Sequence, residues 1–108
     1  MVERNMTTHA RYDRFDRLSQ IIDLFGDLGE VVNEKFFRDT PINGSYWRQI
    51  TDKGVIIVLS ADRRHIVTGW LATVHQVTEI YDGRRLPQYL YNRIQKNKKI
   101  VLDKSVRR

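Results

Sequence analysis

The run GVIIVLSADRRHIVTGW, residues 54–70, constrains the fold more than any other stretch of the chain. Val55 to Leu59 is an unbroken apolar segment that turns through Ala61-Asp62-Arg63-Arg64 into a second strand, His65 to Leu71. A strand apolar on both faces has to be covered on both faces, which places it at the centre of a sheet. Its partner alternates: the period of two predicts Ile66, Thr68 and Trp70 on one side and His65, Val67, Gly69 and Leu71 on the other. A threonine and a tryptophan stand where a plain core would take Val or Leu. That face is the first place to look for a site.

The flanks read as an α+β domain. Tyr12, Phe15, Leu18, Ile21, Ile22, Phe25 and Leu28 recur at helical steps, so residues 7–25 are predicted to form a helix with one buried stripe, capped by Thr7 or Thr8 and ended by Gly26 or Gly29. Two strands follow, 30–38 and 45–51, separated by the turn signal Asn43-Gly44, and Asp52-Lys53-Gly54 leads into the central hairpin. After Leu71 the period changes. Val74, Val77, Ile80 and Tyr81 predict a short helix closed at Asp82-Gly83, and Pro87 opens another with Tyr89, Leu90, Tyr91 and Ile94. The expected fold is an N-terminal helix packed on a four-stranded antiparallel sheet, then two C-terminal helices and a basic tail. A chain of 108 residues supports one core, so the organisation reads as a single domain over 1–98 with a tail over 99–108.

Charge is distributed unevenly. Residues 93–108 hold seven basic side chains and one acid, which accounts for the whole formal net charge of +6, while residues 1–92 balance. A basic arm of this kind suits a phosphate backbone through counterion release, with Lys96, Lys98, Lys99, Arg107 and Arg108 as contacts; it also suits a solvated end that aids solubility. There is no cysteine, no HxxxH or HExxH spacing and no glycine-rich phosphate loop, so neither a metal nor another cofactor is expected. The longest apolar run, Val55 to Leu59, is far short of the ~20 residues that cross a bilayer, and the N-terminal residues lack the apolar core of a signal peptide. A cytoplasmic protein with no membrane partner is expected.

Four residues stand out for chemistry. His9 lies where the first helix begins, beside Arg11 and Arg14, and a histidine next to arginines suits proton transfer near neutral pH. On a helical wheel Arg11 lines up with Phe15, Leu18 and Ile22, and Arg14 with Leu18, Ile21 and Phe25, so both approach the sheet-facing side. There they form a phosphate clamp, or ion pairs with Glu30, Glu34 or Asp39, or they extend along the surface to reach water. His9 itself falls nearer Asp13 and Asp16, the exposed side. Thr68 is the polar residue of the late strand, and Tyr46 and Trp70 offer rings on which a base can stack.

The segment THARYDRF leading a helix, followed by a small sheet ending in VIIVLSADRRHIVTGW, resembles the small ribonuclease-fold domains of the barnase–EndoU–colicin–RelE group, including domains of phages and mobile elements. The resemblance spans residues 8 to 72, and LPQYLYNRIQKNKK is similar to the ends of small phage proteins. It implies His9, Arg11 or Arg14, and Thr68 as a catalytic set lining one face of the sheet; no catalytic lysine is evident on a strand, and Lys53 lies in a turn. Two functions follow. One is an RNA-directed, metal-independent ribonuclease acting through the 2′-hydroxyl; the other is a non-catalytic phage-type protein that binds nucleic acid or inhibits a host protein.

Overall fold

A computed structural model describes residues 18–106. The helix α1 occupies residues 18–25 of this range, and the elements after it are β1 (Val31–Thr40), β2 (Gly44–Thr51), β3 (Val55–Ser60), β4 (Ile66–Leu71), α2 (Val74–Tyr81) and α3 (Gln88–Val106). The strands form one antiparallel meander in the order β1-β2-β3-β4. The fold is α+β, a four-stranded antiparallel sheet with three helices, as the patterning implied.

Helices cover the two faces of the sheet separately. Val55 and Ile57 of β3 pack with Leu18 and Ile21 of α1, joined by Phe25, Leu28, Leu59 and Leu71. Ile56 and Val58, pointing the other way, pack with Ile50, Val77 and Ile80, and with Leu90 and Ile94 of α3. This two-sided cover is why β3 tolerates an unbroken apolar run: Val55 to Val58 are all buried. Burying four such side chains contributes roughly 6–12 kcal/mol before the entropy of ordering them is subtracted.

Two glycines set how closely α1 and its exit approach the sheet. At Gly69 a Cβ would collide with the Leu18 side chain and stand 3.0 Å from the Ile56 carbonyl, so only glycine lets α1 sit this low. Gly29 has φ +90° and no room for a side chain, with Asp52 Oδ1 2.5 Å from where its Cβ would be. The exit of α1 is tied to the β2–β3 turn by polar contacts. The buried Thr51 hydroxyl donates to the Leu28 carbonyl at 2.6 Å, and Lys53 Nζ donates to the Phe25 carbonyl at 2.8 Å, satisfying an end of α1. From the other side Asn97 of α3 donates to the Lys53 carbonyl at 2.8 Å. Helices from both faces therefore converge on one turn.

Three details differ from the sequence expectation. A register shift in β4 between Ile66 and Thr68 sets Ile66 opposite Leu59 and Thr68 opposite Val58, so Ile66 does not share the face of Thr68 and Trp70. Of the two stripes drawn on α1, Leu18 and Ile21 are buried while Ile22 is 43% exposed, so the Leu18–Ile21–Phe25 line faces the sheet. The third concerns α3, which runs without a break from Gln88 through residues 98 and 99 to Val106. The helix thus passes straight through the point where the sequence reading divided body from tail.

Candidate nucleic-acid interface

Strand pairing places four residues in one row across the face that carries α2: Lys35 on β1, Arg48 on β2, Val58 on β3 and Thr68 on β4. The adjoining row holds Phe37, Tyr46 and Ser60. Hydroxyls, cations and aromatic rings thus share one end of one face. The sequence reading named Thr68 and Tyr46 but passed over Phe37, Arg48 and Lys35, a lysine carried on β1.

Arg48 is the centre of this patch. Its side chain is 13% exposed; Nη1 donates to Glu79 Oε1 of α2 at 2.9 Å, and Nη2 lies 3.5 Å from the Tyr46 hydroxyl. The guanidinium sits 4.5 Å from the Phe37 ring centroid, and its buried Nε has no hydrogen-bond partner among the described residues. Phe37 and Tyr46 stack with centroids 5.3 Å apart and planes 13° from parallel. Lys35 Nζ lies 5.4 Å from the same Phe37 ring and 3.1 Å from Asp82 Oδ1 at the end of α2. A partly desolvated cation with an idle N–H, beside a stacked aromatic pair, is chemically suited to a phosphate and its adjoining base. Glu79 and Asp82 neutralise the two cations in the resting protein, so an incoming anion competes with carboxylates that are 44% and 73% exposed. The more exposed Lys35–Asp82 pair is displaced at small cost, whereas the largely buried Arg48 gives up Glu79 only to an anion that takes over its bonds.

Thr68 is half-buried on this face, and its hydroxyl makes no hydrogen bond with another described residue. Trp70 has a different employment. Its indole N–H donates to Gln76 Oε1 at 2.9 Å, and Gln76 completes the capping box of α2 with Thr73. The Trp70 ring packs against the α2-side core, so its first duty is to seat α2. Lys96, Lys98 and Lys99 are exposed along α3. Arg93, counted by sequence with that basic run, instead packs 5.3 Å from the Phe25 ring. His9, Arg11, Arg14, Arg107 and Arg108 lie outside the described residues.

The remaining histidines are exposed: His65 follows the β3–β4 turn, and His75 is in the first turn of α2. In the β3–β4 turn the Asp62 carboxyl is held below the usual carboxylate range, chiefly by the Ser60 hydroxyl and then by the Arg64 backbone N–H. Among the described residues no three metal-ligating side chains cluster, and no helix is long and apolar enough to cross a membrane. A groove of about 510 Å³ between the β4–α2 connection and α3 is lined by Leu71, Val74, Tyr91, Ile94 and Leu102, and is separate from the Thr68 row. No family model, curated protein or solved structure matches the chain.

Proposed function

We propose that this protein acts on single-stranded RNA, held across the α2-side face of the sheet. The observation that carries this reading is the juxtaposition of Arg48, with its unpartnered buried Nε, and the stacked Phe37–Tyr46 pair. The cation takes a phosphate and the rings take a base, while Lys35 and Thr68 extend the row on either side. The exposed Lys96, Lys98 and Lys99 add sequence-independent attraction.

In the catalytic form of this reading, a base removes the 2′-hydroxyl proton and the 2′-oxygen attacks phosphorus. The bond to the 5′-oxygen breaks and an acid returns a proton to it, leaving a 2′,3′-cyclic phosphate and a 5′-hydroxyl. His9 carries a proton in this scheme, Arg11 and Arg14 offset the phosphorane charge, and Thr68 orients the phosphate. In the binding-only form the same face and the exposed lysines of α3 hold the strand and no bond is broken. The test incubates the protein, His9→Ala and Thr68→Val with mixed RNA in EDTA and resolves products and complexes on gels. Cleavage abolished in His9→Ala and reduced in Thr68→Val supports the enzyme. Retardation without cleavage in all three supports binding alone. Absence of both rejects RNA and leaves a protein target.

A further inference from the structure

The face of the sheet that carries α1 holds a second arrangement of rings and cations. Its β1–β2 half presents Glu34, Phe36 and Arg38 on β1 and Trp47 and Gln49 on β2, with Phe36 directly opposite Trp47. The two rings meet at 5.0 Å, tilted by 50°. The Trp47 indole N–H donates to the Ala61 carbonyl at 3.1 Å, which pins the ring beneath the β3–β4 turn. From that turn Arg63, in the left-handed region at φ +65°, lays its guanidinium 3.8 Å from the Trp47 ring centroid.

The guanidinium is fixed in its plane. Nη2 and Nη1 bond the two oxygens of Glu34 at 2.8 and 3.3 Å, and Gln49 holds Glu34 Oε1 at 3.0 Å. Despite its contacts with Glu34 and the Trp47 ring, the Arg63 side chain remains 47% exposed. Arg38 lies over Phe36 at 5.8 Å, and Arg64 and His65 are exposed beside the turn. A planar, delocalised cation that is already immobilised on an indole presents a flat surface on which a base stacks, with little side-chain entropy left to lose. Neighbouring Arg38 and Arg64 suit the phosphates on either side. Glu34 stands against an acidic peptide as the ligand, since its carboxylate would face another carboxylate at short range.

We infer that Trp47 and Arg63 form a nucleobase-stacking site for single-stranded nucleic acid on the α1-side face, opposite the Thr68 row. This rests on the RNA reading above and extends it. Tyr46 and Trp47 are consecutive and point to opposite faces, as are Phe37 and Phe36, and β1 is a sheet edge. One strand passing around that edge therefore meets a ring platform on each side of the same hairpin.

The chain has two tryptophans, so Trp70→Phe leaves Trp47 as the sole indole reporter. In that background, verified as folded by circular dichroism, Trp47 emission is titrated with an oligoadenylate octamer and with an abasic octamer of equal charge. The site predicts saturable quenching by oligoadenylate. It also predicts that Arg63→Lys weakens oligoadenylate binding about tenfold and leaves the abasic octamer unaffected, because charge is kept and only the plane is lost. Oligoadenylate that binds without altering Trp47 emission, and equally well to Arg63→Lys, would overturn the stacking site and leave the RNA reading standing. If neither octamer binds, both fail together.

Discussion

At Gly69 a single hydrogen atom decides how closely α1 packs on the sheet. The Ile56 carbonyl on one side and the Leu18 side chain on the other leave no room for a methyl group. Gly69→Ala is expected to destabilise the fold by about 1–3 kcal/mol, measured as a lower urea midpoint at unchanged slope. Tyr81 gives a second test at this scale. Burial raises its phenol above the usual 10.0, the Tyr89 side chain adding to the effect. The folded state then holds this proton more tightly than the unfolded chain, so the associated stability is intact below about pH 10 and is lost as pH climbs through the folded value. Urea midpoints from pH 9 to 11 should fall more steeply in the wild type than in Tyr81→Phe. Parallel curves would remove Tyr81 from the account. Thr68 and its face were legible because a period of two reports direction directly. Lys35, Arg48 and Phe37 were not, because their meeting depends on the register between β1 and β2. That register is shifted between Phe37 and Thr40, where the strands approach their turn, and neither strand's own pattern encodes it.

Among the elements, α2 is short, at eight residues, and depends on its first turn. Thr73 accepts from the Gln76 backbone N–H, Gln76 returns a side-chain bond to the Thr73 backbone, and the same Gln76 oxygen receives the Trp70 indole. Thr73→Ala is expected to cost about 1 kcal/mol, read as a lowered thermal midpoint. Because α2 also supplies Glu79 and Asp82 to Arg48 and Lys35, fraying it loosens the proposed phosphate site as well. The helix was visible in the spacing of Val74, Val77, Ile80 and Tyr81, and the Thr-x-x-Gln cap was there to be read. Its link to Trp70 was not, since a ring beside a threonine on a strand gives the same pattern whether it stacks a ligand or seats a helix. The register shift that returns Ile66 to the other face was equally hidden, for an extra residue leaves no mark on an apolar alternation.

For the molecule as a whole, the charge is arranged along α3 rather than spread evenly. The body is neutral, and Lys96, Lys98 and Lys99 are exposed on a helix that Asn97 and Ile94 anchor to the body. The charge asymmetry was fully legible in composition, whereas its support on a continuous α3 depended on the fold. The central claim is that charge and stacking act together on unpaired bases. It is tested most directly by fluorescence anisotropy of a labelled single-stranded RNA and of its duplex, over graded salt, with the protein and with Lys96→Ala/Lys98→Ala/Lys99→Ala. The account predicts tighter binding of the single strand than of the duplex, and a salt slope that the triple substitution reduces by about 2. Equal affinity for both forms, with a slope untouched by the three lysines, would contradict it.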